Sequence, residues 1–168
     1  KLSLINEYNN LKKQNVKNIS IFIPPRGYLD EKNESIYLSG VSKSFTLYCE
    51  ENGYYATYNS DRYGFNNPDH EWDSELTDIL LVGDSFTHGA CVKENENISS
   101  ILRNLSSKSI INLGFGGNGP LLEYATLREY SPKKVKNILW LYFEGNDYAD
   151  FEYELSSDLL IKYIDDKN

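Results

Sequence analysis

The chain has 168 residues, of which 40% are hydrophobic and 14% aromatic, and its 17 basic and 25 acidic side chains give a formal net charge of −8. This length suits one domain with a buried core, and the apolar content excludes a wholly disordered chain. The acidic balance argues against nucleic acid as the main partner, because phosphate binding needs a basic face. No apolar run approaches the roughly 20 residues that a membrane-spanning helix needs, so we expect no membrane span in this chain.

Residues 1–75 are expected to form an irregular, β-containing extension that packs on the rest of the chain. Apolar residues near helical spacing within the first 20 positions predict a short amphipathic helix, and a mobile lead-in is the alternative. A β-prone run at 19–23 follows and stops at two prolines. The pair Asn52-Gly53 separates two further β-prone runs, 45–49 and 54–58, and this pattern predicts a hairpin.

The chain contains two cysteines, Cys49 and Cys91, and they lack the Cys-x-x-Cys spacing of many metal and redox sites. A single disulfide between them is one alternative. We expect two buried thiols instead, because free cysteine is among the most buried residue types.

Residues 76–168 show the alternation of an α/β domain. A continuous apolar run at 79–82 predicts a strand that is covered on both faces. Residues 110–113 predict a second buried strand, and the apolar run at 138–143 predicts a third strand. Helical segments between successive strands imply right-handed crossovers and a parallel sheet. The sequence therefore predicts a three-layer α/β/α sandwich of the flavodoxin-like type.

The helices of this second part are predicted from apolar spacing. One covers about 98–105, and the next covers 121–130 and opens on Pro120, where proline is favoured at the first helical position. An acidic helix is predicted from residue 148 onward. The aromatic residues Trp140 and Tyr142 of the third strand are expected in the core.

Three loops follow the three predicted strands, and ligands of an open parallel sheet bind beyond the carboxyl ends of its strands. In the first loop, Ser85 lies where a helix begins and exposes a hydroxyl, as a nucleophile would; the alternative is a helix cap, since Asp84 and Ser85 both favour that position. Gly117 in the second loop could donate a backbone N–H to a developing oxyanion, and Asn146 in the third could donate its amide. The alternative for both residues is that they only allow the chain to turn.

These loops resemble the motifs of the SGNH (GDSL-type) hydrolase family. Residues 81–87, Leu-Val-Gly-Asp-Ser-Phe-Thr, are similar to the block that carries the nucleophile. Residues 112–117, Asn-Leu-Gly-Phe-Gly-Gly, are similar to the second motif, and residues 145–147, Gly-Asn-Asp, are similar to the end of the third. The resemblance covers about residues 76–150, and residues 63–67 are similar to a lead-in found before the first motif in bacterial members.

The resemblance implies a serine esterase or O-acyltransferase that acts on acyl esters, such as those of bacterial glycans. Ser85 would attack the acyl carbon, while the N–H groups of Ser85 and Gly117 and the amide of Asn146 would hold the oxyanion. Asp84 would shape the turn. Neither a metal nor an organic cofactor is implied.

The sequence departs from the family pattern in its catalytic base. The family takes that base from a late Asp-x-x-His motif, and neither His70 nor His88 lies in such a motif. The family sheet also has more strands than the three predicted here. We therefore expect either the N-terminal part of a longer hydrolase domain or a member that lacks its base. His88, three residues after Ser85, is the candidate substitute, whereas His70 is expected to be a solvated loop residue.

Two other interpretations remain open. Gly114, Gly116 and Gly119 match the dinucleotide-binding pattern Gly-x-Gly-x-x-Gly between a strand and a helix, and Glu144 ends the next strand, where a ribose-binding acid would lie. The other alternative is a non-catalytic carbohydrate-binding or assembly module on the same fold, because proteins that share a fold can have unrelated functions.

Overall fold

The computed structural model describes residues 3–25, 29, 35–51 and 53–165, and this part of the chain is mixed α/β. Its helices are α1 Leu4–Lys13, α2 Ser85–His88, α3 Ile98–Ser106, α4 Pro120–Tyr130, α5 Asp147–Glu154 and α6 Asp158–Asp165. Its strands are β1 Ile19–Ile21, β2 Phe45–Glu50, β3 Tyr55–Asn59, β4 Thr77–Gly83, β5 Ile110–Asn112 and β6 Val135–Leu141. Within the described ranges, no helix combines the length and the apolarity that crossing a lipid bilayer requires.

The first sheet belongs to the extension and has the strand order β1-β2-β3. β2 and β3 are antiparallel, with Phe45 opposite Asn59, which confirms the predicted hairpin. Asn52 of the predicted turn lies outside the described residues. β1 runs parallel to β2, with Ile19 opposite Phe45.

The second sheet has the order β5-β4-β6, and all of its strands are parallel. The three predicted strands are therefore confirmed, although the third begins and ends earlier than the apolar run suggests. Leu80, Leu81 and Val82 in the central strand β4 are fully buried. This placement brings the carboxyl ends of all three strands to one edge.

The core position predicted for Trp140 and Tyr142 is wrong. These side chains are 43% and 53% exposed, and their neighbours Ile138 and Leu139 are similarly open. Among the described strands, β6 pairs only with β4. Successive side chains of a strand point to opposite faces, so both faces of β6 are open to solvent. The apolar run marks a strand correctly but does not report what covers it.

Two hydrophobic clusters join the extension to the second half of the chain. In the first, Leu29 and Leu38 pack with Leu122 of α4 and Leu160 of α6. In the second, Phe65 packs with four side chains of the parallel sheet and the loop after β5: Leu80, Ile111, Leu113 and Phe115. Both clusters therefore join side chains from the first 75 positions to the parallel sheet and its helices.

Cys49 and Cys91 form a disulfide with a Cα–Cα distance of 5.1 Å, so the expectation of two buried thiols is wrong. The bond joins β2 of the extension to the segment that follows α2. Sequence spacing could not show this, because the two cysteines are 42 residues apart and meet only through the packing of the two sheets.

We expect the double variant Cys49→Ser, Cys91→Ser to lose about 3 kcal/mol of unfolding free energy, because the bond restricts the unfolded chain over a long loop. Urea denaturation of the oxidised protein and the variant measures this loss. Wild-type protein denatured in the presence of a reducing agent is the matched control and should resemble the variant. Equal midpoints for all three samples would contradict the prediction.

Candidate functional site

Ser85 is the first residue of α2, directly beyond the carboxyl end of β4. The turn before it needs a glycine, because a Cβ on Gly83 would collide with the Thr87 hydroxyl and lie 2.8 Å from the Leu141 carbonyl oxygen. The turn lets the chain leave the buried strand sharply and leaves the Ser85 side chain half-buried. Ser85 is therefore not enclosed in the core, unlike the strand before it.

One buried carboxylate holds the first and third loops together. Oδ1 of Asp84 accepts a hydrogen bond from the Phe86 N–H at 2.9 Å and so caps α2. Oδ2 of Asp84 accepts from the Ser85 hydroxyl at 3.4 Å and from the Asn146 side-chain amide at 3.5 Å. Ser85 and Asn146, 61 positions apart in the sequence, thus share one acceptor oxygen.

The second loop, between β5 and α4, lies against both of the others. A Cβ on Gly114 would lie 2.5 Å from the His88 backbone nitrogen and 2.6 Å from Thr87 Cβ, so this end of the loop packs on α2. A Cβ on Gly119 would lie 2.6 Å from Asp150 Cβ, so the other end packs on α5. The structure therefore brings the three loops into contact, as the sheet topology predicts.

Gly117 lies in the middle of this second loop and is half-buried. Its φ is +84°, and a Cβ would lie 2.7 Å from Pro24 Cβ. Among the described residues, no acceptor takes a hydrogen bond from the backbone N–H groups of Ser85 and Gly117. Neither donor is therefore used to hold the described part of the fold together.

His88 is not available as a base, which corrects the suggestion that it replaces the missing histidine. Its side chain is fully buried, and its Nδ1 accepts a hydrogen bond from the Gly116 N–H at 3.1 Å. Burial lowers the pKa of His88 to about 3, so the ring stays neutral. Four aromatic rings enclose it at centroid distances of 4.4 to 5.3 Å: Tyr48, Tyr58, Phe115 and Phe22. His88 is a core residue that positions the second loop through Gly116.

His70 lies in a short 3-10 helix at Asp69–Asp73, with its side chain 79% exposed. The prediction of a solvated residue is confirmed.

Two buried acids, Glu154 and Glu123, lie next to the three loops, and no motif in the sequence points to them. Glu154 of α5 accepts hydrogen bonds from the N–H groups of Gly119, Leu121 and Leu122 at 2.6, 2.8 and 3.3 Å. A side chain from another helix thus caps the start of α4. Burial raises the pKa of Glu154 to about 7.

Glu123 of α4 is also buried, with 1% of its surface exposed. One of its oxygens accepts a hydrogen bond from the Trp140 indole N–H, and the other has no partner in the described part of the chain. Burial raises the pKa of Glu123 to about 8, and the nearby acids Asp147, Asp84 and Glu154 raise it further. Glu123 lies in the first turn of α4, where acidic residues are favoured on exposed helices as well, so no sequence signal separates it from an exposed glutamate.

We expect wild-type stability to fall by about 2 kcal/mol as the pH rises from about 5 to about 8, because the folded pKa of Glu123 lies above its unfolded value of 4.5. Below pH 4.5, Glu123 is protonated in both the folded and the unfolded protein. As the pH rises toward its folded pKa of about 8, the unfolded protein loses this proton first, so the unfolding free energy falls. Glu123→Gln, which keeps an acceptor for Trp140, should flatten part of this slope. Thermal melts across this pH range measure it.

The matched control for Glu123→Gln is Glu129→Gln, the same change on the exposed face of α4. It should leave the wild-type slope in place. If the two variants and the wild type gave parallel curves, Glu123 would not titrate as a buried acid.

The segment before β4 supports the site through buried polar contacts. Asp61 is fully buried and accepts hydrogen bonds from four donors: the N–H groups of Tyr63 and Phe65 and the side chains of Asn67 and Trp72. Asn67 also bonds both the N–H and the carbonyl oxygen of Asn112, at 2.8 and 2.9 Å. Asn66 donates to the His88 carbonyl at 3.0 Å. This segment therefore holds the end of β5 and the end of α2 in place.

In the described ranges, no three His, Cys, Asp or Glu side chains are grouped so as to hold a metal ion. The four cavities described in this structure are lined by residues other than Ser85, Gly117 and Asn146. The candidate site is thus a partly exposed meeting point of three loops.

Comparison of the chain with protein-family models, with curated proteins and with solved structures gives no match.

Proposed function

We propose that this chain carries the nucleophile and the oxyanion donors of an SGNH-type serine ester hydrolase or O-acyltransferase. The observation that supports the proposal most strongly is the Asp84 oxygen that the Ser85 hydroxyl and the Asn146 amide share, at 3.4 and 3.5 Å. The second loop, which contains Gly117, packs on both neighbouring helices. A three-layer sandwich of the flavodoxin-like type belongs to the same proposal, and the parallel order β5-β4-β6 supports it.

In the proposed reaction, the Ser85 oxygen attacks the acyl carbon of an ester while a base takes the hydroxyl proton. The carbonyl oxygen becomes an oxyanion that accepts hydrogen bonds from the N–H groups of Ser85 and Gly117 and from the Asn146 amide. The bond to the alcohol then breaks, the alcohol takes a proton, and an acyl-serine remains. Water or a second hydroxyl, such as that of a glycan, takes the acyl group and restores Ser85.

The Asn146 amide can serve in this way because its contact with Asp84 is long. One of its hydrogens is held by Asp150 at 2.9 Å, whereas the other reaches Asp84 only at 3.5 Å. Hydrogen bonds weaken at such distances, so a substrate oxyanion would compete well for the second hydrogen. Asp150 meanwhile fixes the orientation of the amide.

The base is the part of the proposal that the described residues do not provide. The acceptor nearest the Ser85 proton is Asp84, and a carboxylate is a weak base for a serine hydroxyl. We therefore include in the proposal a histidine from another polypeptide segment. Without that histidine, the chain should be a weak esterase at best.

A short-chain nitrophenyl ester assay tests this function. The wild type should show slow turnover that is lost in Ser85→Ala and retained in Ser156→Ala, an exposed serine on another helix end. Added imidazole should raise the Ser85-dependent rate by supplying a base. Equal rates for the wild type and Ser85→Ala under all conditions would overturn the proposed nucleophile. Fast turnover by the wild type without imidazole would contradict only the inference that this chain lacks a catalytic base.

Two contacts argue against the dinucleotide alternative. A Cβ on Gly116 would meet Phe22 at 3.1 Å, so this glycine serves internal packing. The N-terminus of α4, where a pyrophosphate would bind, already holds the Glu154 carboxylate. We expect no change of melting temperature with saturating NAD or NADP, and a clear increase would revive this interpretation.

The exposed aromatic side chains favour the carbohydrate-binding alternative in one respect. Trp140, Tyr142 and Tyr148 are between 43% and 65% exposed near the carboxyl end of β6, and such rings can stack on sugars. If the chain only binds glycans, Tyr142→Ala should weaken binding while Ser85→Ala leaves binding and the ester assay unchanged. The esterase proposal expects Ser85→Ala to change the assay.

A further inference from the structure

The segment that follows α2, residues 89–91, folds back onto the backbone of Ser85. The carbonyl oxygen of Ser85 accepts hydrogen bonds from the N–H groups of Gly89 and Ala90, at 3.1 and 2.9 Å. Because α2 has only 4 residues, these two bonds close its single turn. The position of the Ser85 backbone therefore depends on the conformation of residues 89–91.

Cys91 ends this segment in a strained backbone conformation. Its φ is +57°, in the left-handed region that residues with a Cβ rarely adopt. Gly89 also has a positive φ, +85°, but glycine adopts this conformation without strain. Other contacts must therefore hold Cys91 in the left-handed region.

The disulfide to Cys49 is the strongest contact that we find for this purpose. It ties Cys91 to β2 of the first sheet, with a Cα–Cα distance of 5.1 Å. The Tyr54 hydroxyl also donates a hydrogen bond to the Cys91 carbonyl oxygen, but at 3.5 Å this bond is weak. Loss of the covalent bond would therefore leave the strained backbone of Cys91 with much less support.

We propose that the Cys49–Cys91 disulfide positions Ser85 by keeping Cys91 left-handed, so that residues 89–91 keep their hydrogen bonds to the Ser85 carbonyl oxygen. Without the disulfide, Cys91 relaxes toward a right-handed or extended backbone, and the preceding N–H groups turn away from Ser85. The serine then occupies its reactive position in a smaller fraction of the molecules. This inference rests on the proposed nucleophile and adds redox control of the same site.

Reduction of the bond requires a dithiol, for which dithiothreitol is the probe. One thiolate of the reagent attacks a cysteine sulfur, the Cys49–Cys91 bond breaks, and the departing cysteine thiolate takes a proton. The second thiolate of the reagent attacks the mixed disulfide, releases the other cysteine and leaves the reagent as a cyclic disulfide. The reagent is oxidised and the protein disulfide is reduced, and oxidised glutathione reverses the change.

The rate at which Ser85 reacts with a fluorophosphonate, followed by peptide mass spectrometry, tests the proposal. We expect the reduced protein to react about ten-fold more slowly than the oxidised protein, because its Cys91 backbone leaves the left-handed region. Reoxidation should restore the rate. Ser85→Ala is the blank, and thermal melts establish whether each sample is folded at the labelling temperature.

Two double variants separate the backbone conformation at position 91 from loss of the cross-link. Both carry Cys49→Ser, and they differ only in having Cys91→Ala or Cys91→Gly. Alanine resists the left-handed conformation, so the first variant should react about ten-fold more slowly than the oxidised wild type. Glycine adopts this conformation without strain, so the second should recover most of that loss. Ser107→Gly, at another left-handed position with φ +53°, is the matched control and should react at the wild-type rate.

Equal rates for the alanine and glycine variants would overturn the positioning role, because the backbone at position 91 would then not matter. Slower reaction only in samples that have unfolded would also overturn it. Equal rates for the oxidised and the reduced wild type, or a disulfide that the dithiol fails to reduce in the folded protein, would overturn the redox control. Absence of any adduct on Ser85 in the oxidised wild type would instead refute the proposed nucleophile, and this inference with it.

Discussion

Gly64→Ala is expected to cost about 4 kcal/mol of unfolding free energy, because the new methyl group would strain the backbone and overlap the neighbouring backbone segment at Gly40. Gly64 has φ +95°. A Cβ there would overlap the Gly40 carbonyl oxygen and lie 2.6 Å from the Gly40 carbonyl carbon and 2.9 Å from its nitrogen. These are backbone atoms, so no side-chain rotation relieves the contact.

The surroundings of Gly64 cannot move apart cheaply. The Gly40 N–H donates to the Gly64 carbonyl at 3.3 Å, and the Gly64 N–H donates to the Asp61 carbonyl at 3.1 Å. Asn66 and Asn67 follow at once and bond the ends of α2 and β5. Displacement of this segment should therefore also loosen the candidate site.

Gly53→Ala is the matched control for Gly64→Ala. Gly53 has a similar φ of +81°, but nothing lies within 4 Å of its added Cβ. This variant carries the backbone strain alone and should lose about 1 kcal/mol. Urea denaturation of both variants measures the difference. A similar loss for the two would mean that the close approach of Gly40 and Gly64 is wrong.

Asn146→Ala is expected to slow the reaction of Ser85 with a fluorophosphonate by about 100-fold, the usual effect of removing one oxyanion donor. The phosphoryl oxygen of the reagent takes the place of the ester carbonyl oxygen. Asn137→Ala is the matched control. It removes an asparagine amide on β6 that donates a hydrogen bond to the Asp78 carbonyl of β4 at 3.0 Å. That variant should react at the wild-type rate.

Thermal melts of both asparagine variants separate a local effect from unfolding. If Asn146→Ala melted like the wild type and also reacted at the wild-type rate, the amide would not act as an oxyanion donor. If Asn137→Ala slowed the reaction equally, loss of any asparagine amide near this sheet would slow it, and the effect would not be specific to Asn146.

The central part of the fold follows directly from the sequence, because β4 is covered on both sides and its apolar run is continuous. The loop arrangement follows as well, since parallel strands present their carboxyl ends at one edge. Ser85 and Asn146 are brought to a common oxygen by this topology alone. Glycine at position 83 marks the sharp turn before Ser85.

Other features depend on packing that no local pattern encodes. The apolar run of β6 looks the same whether one strand or two lie beside it, so the exposure of Trp140 could not be predicted. His88 has the spacing of a partner for Ser85, but the extension encloses its ring in aromatic side chains. The pairing of Cys49 with Cys91 and the burial of Glu123 likewise follow from how distant segments meet.

The most direct test of the site is peptide mapping by mass spectrometry after wild-type protein is treated with a fluorophosphonate. We expect one adduct, on Ser85, which forms slowly and is absent from Ser85→Ala. Unmodified Ser85 after prolonged treatment, or adducts distributed over exposed serines with no preference for position 85, would contradict a nucleophile at this position.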